Sequence, residues 1–310
     1  MRILVLGATG YLGAHITERL RALPGARLRT CGRAPTAHLR CDLATATPGD
    51  LVELLVRAVP DAVVNCAGAV GGTALTLAEV NSRGPAALCE AVRAAAPGAR
   101  LVHLGSAAEY GPHPRGARTA EEDPAHPVAP YGATKLAGTL AVTSSGLDAV
   151  VLRVTNPVGP GAPAAGLPGR LTAELRRAVG ESPHGTVRVG DLSAFRDFVD
   201  VRDVARAVEL AVAAPGPVPR LLNVGSGRAV PVRDLVHGLV RAAGFRGRVE
   251  ESLPAVGGRS AAVPWQCAEV GAAGRELGWG PRYSLADAVG ALWAADGAAG
   301  AGAPVPADRR

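Results

Sequence analysis

Short apolar runs alternate with amphipathic stretches through the first half of the chain. Arg2–Leu6 reads as a buried strand, Tyr11–Arg21 as a helix and Arg27–Cys31 as a second strand. Leu51–Ala58 predicts a helix, Ala62–Asn65 a strand, Leu77–Ala95 a longer helix and Leu101–Leu104 the next strand. Tyr131–Thr143 is helical in pattern, and Ala149–Val154 is apolar throughout but for one Arg. Strands that are apolar on both faces, alternating with helices, predict a parallel sheet covered by helices. After Asn156 the texture changes. Pro157–Arg170 is crowded with Gly and Pro and predicts an irregular excursion. Helices are then expected at Leu171–Val179, Asp203–Val212 and Arg233–Ala243, with a short strand at Leu221–Val224. From about Ala294 the chain is mostly Ala, Gly and Pro, which predicts a frayed tail.

Composition narrows the function classes. A length of 310 residues suits two domains at about 150 each. With 48% hydrophobic and 19% charged residues the chain can bury a core and is not a disordered one. No apolar run approaches the roughly 20 residues that span a bilayer, and Ile3–Leu6 is too short for a signal peptide. A soluble cytoplasmic protein is the expectation. The net charge of +6 suits an anionic ligand, but the arginines are dispersed and no basic cluster points to nucleic acid. Five cysteines (Cys31, Cys41, Cys66, Cys89 and Cys267) without a C-x-x-C, and scattered histidines, give no metal-ligand spacing. Lys135 is the only lysine in an arginine-rich chain. A compact ammonium on a flexible stem does work that a planar guanidinium cannot, so its neighbours matter.

Gly7-Ala8-Thr9-Gly10-Tyr11-Leu12-Gly13 follows the first strand and opens a helix. Gly7 permits a tight turn, Gly10 lets a pyrophosphate approach, and Gly13 lets the helix pack on the strand. Phosphates would then sit against free N–H groups at the helix start. An ordinary turn in a chain with 40 glycines is the competing reading. No Gly-Lys-Ser/Thr follows, so a dinucleotide fits better than a P-loop nucleotide. The second strand ends in Thr30-Cys31-Gly32-Arg33, without the carboxylate that binds the ribose hydroxyls of NAD. Arg33 is a candidate for the 2′-phosphate of NADP, which makes NADP(H) the preferred cofactor with NAD(H) possible. Asp42 and Leu43, after a short strand, are candidates to bracket the adenine.

Tyr131 and Lys135 lie one helical turn apart and share a face. A phenol with a pKa of about 10 is a poor acid–base catalyst at neutral pH. A nearby ammonium and a cationic nicotinamide both favour phenolate; lowering that pKa by about three takes roughly 4 kcal/mol.

Together with Ser106, placed twenty-five positions before Tyr131, the Gly-rich loop and the Tyr-x-x-x-Lys pair resemble the extended short-chain dehydrogenase/reductases. The likeness covers nearly the whole chain. Asn65-Cys66-Ala67-Gly68, Asn81, Leu152-Arg153-Val154-Thr155-Asn156-Pro157, Arg196–Asp200, Leu222–Gly227 and Glu276-Leu277-Gly278-Trp279 all match its pattern. The resemblance implies a Rossmann-type doubly wound sheet for residues 1–157, rejoined by about 197–224. A smaller C-terminal α/β substrate domain would come from 158–196 and 225–293, with 294–310 as a tail. It implies that Ser106 holds the reacting carbonyl, Tyr131 exchanges its proton, and Lys135 tunes Tyr131 and holds the ribose. Cys66, Ala67, Gly68, Asn81 and Thr155 would line the cofactor. Ala107, Asn156, Arg196 and Arg259 would face the substrate, a nucleotide sugar, the last three at its diphosphate. Many relatives carry an acidic residue just after that Arg, where this chain has Ser260-Ala261-Ala262.

The residues after Ser106 narrow the chemistry. Dehydratases of this family carry an Asp-Glu pair where this chain has Ala107 and Ala108, and methyl groups cannot move protons. The pattern is most similar to the reductases of nucleotide-linked 4-keto-6-deoxymannose. A 4-epimerase using NAD, a ketoreductase of a non-sugar ketone, and a non-catalytic dinucleotide-binding protein remain the alternatives. The helices Leu77–Ala95 and Tyr131–Thr143 are expected to pair across a two-fold axis, giving a homodimer.

Overall fold

The structure, a computed structural model, describes residues 1–181, 184–251 and 263–300. Seven strands form its main sheet: β1 (Arg2–Leu6), β2 (Arg27–Gly32), β3 (Leu39–Arg40), β4 (Ala62–Asn65), β5 (Arg100–Ser106), β6 (Ala149–Val154) and β10 (Leu221–Val224). Their spatial order is β10-β6-β5-β4-β1-β2-β3, and every pairing is parallel. The fold is the expected Rossmann-type α/β class.

Alternation along β1 explains the two layers of helices. Ile3 and Val5 enter a core shared with Ile16 and Leu20 of α1 (Tyr11–Arg21) and Val204, Val208 and Ala211 of α7 (Val201–Ala213). Leu4 and Leu6 enter the opposite core, with Leu51 and Leu55 of α2 (Pro48–Ala58) and Leu88 and Val92 of α4 (Gly84–Ala95). The start of α2 is earlier than the apolar pattern suggests. Thr47 caps it in a reciprocal box with Asp50, and Pro48 fits the first helical position.

The long helix expected over Leu77–Ala95 is broken into three. It comprises α3 (Ala74–Ala78), a π-helical segment at Glu79–Arg83, and α4. Such a segment widens the helix and re-aims one side chain, here the buried Asn81. After α5 (Pro130–Thr143), a third core forms away from the main sheet. It joins Leu171 and Leu175 of α6 (Leu167–Glu181), Leu235 and Leu239 of α8 (Val232–Ala242), and Leu292 of the C-terminal helix. That helix, Leu285–Gly300, continues past Ala294, where a frayed tail was expected. Ala is the best helix former, and it outweighs the glycines there.

Two small sheets complete this lobe. β7 (Asn156–Val158), β9 (Phe195–Asp200) and β11 (Ala229–Pro231) make one; β8 (Thr186–Val189) and β12 (Arg248–Glu251) make the other. Arg196–Asp200 therefore does not enter the large sheet. The chain returns to it at β10, with α7 packed beside α1. Among the described residues no helix is long and apolar enough to cross a membrane.

Candidate active site

The strand order changes direction at β1, whose neighbours are β2 on one side and β4 on the other. A doubly wound sheet opens a crevice there, at the C-terminal ends of the strands. Gly7 turns the chain out of β1 with φ +73°, and a Cβ on it would fall 2.7 Å from the Ala67 nitrogen. A Cβ on Gly13 would lie 2.0 Å from the Gly7 carbonyl oxygen, so the turn and the helix close on each other only with glycine. Gly10 is the N-cap of α1, without a side-chain cap and without an acid in the first turn. Thr9 and Gly10 are exposed, while Tyr11 and Leu12 are half-buried. The first N–H groups of a helix find no acceptor within it, and a helix start reached over an exposed glycine fits a dinucleotide diphosphate. Tyr11 also donates to the Gly159 carbonyl at 3.4 Å, and burial pushes its phenol above the ordinary range.

At the end of β2, Arg33 is 80% exposed with its guanidinium 4.0 Å from the Asp42 carboxylate. The Leu43 side chain is buried against Gly84 in the core, and Asp42 is the member of that pair whose side chain offers a polar group. Across the crevice Asn65 is buried at the end of β4. Its Nδ2 donates to His103 Nδ1 at 3.1 Å and its Oδ1 accepts the Ala67 N–H at 3.1 Å, which shapes the turn through Cys66, Ala67 and Gly68. Burial pushes the Cys66 thiol up to about 12 and His103 well below its usual range. Asn81, re-aimed by the π segment, accepts the Ala69 N–H at 2.9 Å and donates to the Ala69 carbonyl at 2.8 Å. It also donates to Thr134 Oγ1 at 3.3 Å, tying this loop to α5.

Ser106 ends β5. Its Oγ accepts the Ala108 N–H at 3.2 Å, capping the single 3-10 turn Ala107–Glu109. Because the oxygen accepts there, the O–H proton is left for another partner. The first turn of α5 runs over this cap, with Gly132 so close that a Cβ would fall 2.3 Å from the Ala108 carbonyl oxygen. Tyr131 is half-buried beside it, and Lys135 is buried one turn on. Lys135 Nζ donates to the Leu104 carbonyl at 2.5 Å. Burial lowers its pKa to about 8, against the pull of the Glu109 carboxylate.

The remaining residues sit where the small sheet meets the large one. Thr155 is buried and donates to Asp197 Oδ1 at 3.4 Å. Asn156 Nδ2 donates to the Asp197 carbonyl at 2.9 Å and to Gln266 Oε1 at 2.6 Å. Arg196 gives one terminal nitrogen to the carbonyls of Phe195 and Val263, at 2.8 and 2.7 Å. Arg259 lies outside the described residues.

Sequence reasoning passed over two residues. Asp197 is fully buried and its carboxylate gathers the N–H groups of Ser226, Gly227 and Ala268, pinning three segments together. Glu109 closes a reciprocal capping box with Ser106, and the Ser-x-x-Glu spacing was its visible signal. Among the described residues no three His, Cys, Asp or Glu gather as a metal site would require.

The profile of the NAD dependent epimerase/dehydratase family matches residues 3–225. The chain belongs to this family. It is thus an NAD(P)-dependent enzyme of the extended short-chain dehydrogenase/reductase type. The chain is 40% identical, over 96% of its own length and 96% of the relative's, to dTDP-6-deoxy-L-talose 4-dehydrogenase (NAD(P)(+)) of Kitasatospora kifunensis. It is 29% identical to GDP-6-deoxy-D-mannose reductase of Pseudomonas aeruginosa, over 76% of this chain and 78% of that one. Among solved structures, MoeE5 in complex with UDP-glucuronic acid and NAD superposes with a TM-score of 0.82 at 27% identity, covering 96% of this chain and all of that one.

Proposed function

We propose that this enzyme reduces the C4 ketone of a nucleotide-linked 4-keto-6-deoxyhexose with NADPH, and runs the reverse oxidation when NADP is in excess. The observation that carries the reading is the close crossing of α5, the helix that bears Tyr131 and Lys135, over the cap that Ser106 makes at the end of β5. The relative at 40% identity is named for dehydrogenation at C4 of a dTDP-linked 6-deoxy sugar, which favours thymidine over guanosine as the nucleotide.

A nicotinamide dinucleotide bound in the crevice would supply or accept the hydride. Gly7, Gly10 and the start of α1 would hold its diphosphate, the Cys66–Gly68 turn and Asn81 would line it, and Arg33 would meet its 2′-phosphate. Ser106 gives its free O–H to the substrate carbonyl. That hydrogen bond strengthens as negative charge grows on the oxygen, which is where it lowers a barrier. Tyr131 delivers the proton to the oxygen, and the Lys135 ammonium stabilises the phenolate it leaves. Ala107 and Ala108 place no carboxylate beside the sugar, so water elimination has no acid or base of its own. Asn156 and Arg196 take the diphosphate of the substrate.

Incubating the protein with NADPH and a panel of nucleotide-linked 4-keto-6-deoxy sugars tests this reading. Loss of NADPH absorbance matched by 6-deoxyhexose product is expected, fastest with dTDP. Interconversion of 4-epimers without net NADPH loss would replace the reductase by an epimerase.

A further inference from the structure

Glu109 is fully buried beneath the crevice, and its contacts run to the frame that carries Ser106. One carboxylate oxygen accepts the Ser106 backbone N–H at 2.7 Å; the other accepts Arg153 Nε at 2.8 Å. Arg153 is itself 4% exposed and pairs in register with Gly105, the residue before Ser106. Its guanidinium lies 4.3 Å from the centre of the Tyr110 ring, and Tyr110 donates to Asn223 Oδ1 at 2.8 Å. A continuous polar chain thus crosses β10, β6 and β5 and ends on the N–H of Ser106.

Burying an ion pair costs several kcal/mol per ion in lost hydration, and an apolar pair of the same volume often serves a core as well. Packing alone therefore does not account for Glu109 and Arg153. What the pair adds is direction. With its N–H held by Glu109 and its Oγ held by the Ala108 N–H, Ser106 has little freedom left in how it presents its O–H.

We propose that Glu109 is a positioning residue: anchored by Arg153, its carboxylate fixes the Ser106 backbone and aims the Ser106 hydroxyl at the reacting carbonyl. The inference rests on the role given to Ser106 above.

Glu109→Gln keeps the volume and an oxygen for the Ser106 N–H but releases Arg153. Turnover should fall about 10- to 100-fold, as a displacement near 1 Å would cause, with KM and NADPH affinity within about twofold. Introduced into Ser106→Ala, the same change should cost no further turnover, because the residue it acts through is gone. A role in folding alone would lower both backgrounds equally and would overturn the proposal. Hydrogen exchange at the Ser106 amide needs no substrate, so it separates this inference from the choice of sugar. It should speed up in Glu109→Gln while α1 stays protected, and unchanged exchange also overturns the proposal. If Glu109→Gln fails to fold because Arg153 is left unpaired, the double variant Glu109→Gln/Arg153→Met removes the stranded charge. It should show the same loss of turnover and the same faster exchange.

Discussion

Lys135 shows how far one residue's chemistry can be argued from its surroundings. Burial strips its ammonium of water, and the Leu104 carbonyl and Glu109 return only part of that, so its pKa falls from 10.5 to about 8. Below about pH 8 the side chain is charged both folded and unfolded, and the folded state bears the whole cost of burying it. Above 10.5 it is neutral in both states and the cost is gone. Its effect is therefore a destabilisation that disappears as pH rises through that window. Lys135→Met should abolish turnover, yet be favoured over wild type by about 3 kcal/mol more near pH 7 than near pH 11. The orphaned Leu104 carbonyl costs the same at both pH values and cancels. Urea unfolding at the two pH values checks this, and a pH-independent difference would refute it. Tyr131→Phe should likewise lose turnover while NADPH still binds, as fluorescence titration would show. If Arg33 meets a 2′-phosphate, Arg33→Ala should remove a preference for NADPH over NADH of about 10- to 150-fold, the worth of one charged hydrogen bond. These residues are legible because their type and spacing name a chemistry. Leu43 is not, because its position suits both an adenine and a core, and its packing against Gly84 shows only in the structure.

At the scale of elements, the site depends on two close approaches. A Cβ on Gly132 would fall 2.3 Å from the Ala108 carbonyl oxygen, so α5 must stand off from the Ser106 cap by about 1 Å if alanine replaces it. The obstacle is backbone, which does not yield cheaply, and the gain of up to about 1 kcal/mol that alanine has over glycine inside a helix offsets only a small part of the clash. Gly132→Ala should therefore lower the thermal midpoint, and also lower kcat by about 100-fold at temperatures where the variant stays folded. An unchanged kcat in the folded variant would mean that the contact serves stability and not geometry. The strands of the large sheet are readable in the sequence because burial on both faces leaves long apolar runs, as in Ala149–Val154. β7, β11 and β12 are only three or four residues long and partly exposed, so no periodicity marks them. The π segment is silent for another reason. Glu79–Arg83 contains no Gly or Pro to mark a break, and the bonds that Asn81 makes from it to Ala69 and Thr134 join positions far apart in the chain.

At the scale of the whole molecule, the two lobes are stitched together around the crevice. Tyr11 and His15 of α1 bond the carbonyls of Gly159 and Pro160, at 3.4 and 2.8 Å, at the start of the Gly- and Pro-rich excursion. Asp197 gathers the far side. None of this is visible in the sequence, because the partners are up to 148 residues apart. What the tertiary structure leaves uncovered is the outer face of α5. Ala133, Ala137 and Leu140 recur there at helical spacing and face solvent, with Leu140 57% exposed. α4 packs alongside α5. A stripe of small residues ending in an exposed leucine lets a second α5 approach closely, and two such pairs of helices would bury it across a two-fold axis. The expected assembly is thus a homodimer, with sedimentation equilibrium giving twice the chain mass. Leu140→Glu would place two carboxylates against that axis and should yield a monomer. The inner face of the same helix carries Tyr131 and Lys135, so the dissociated variant should also lose turnover. Wild type that sediments as a monomer at all concentrations would remove the dimer, and with it any coupling between the two faces of α5.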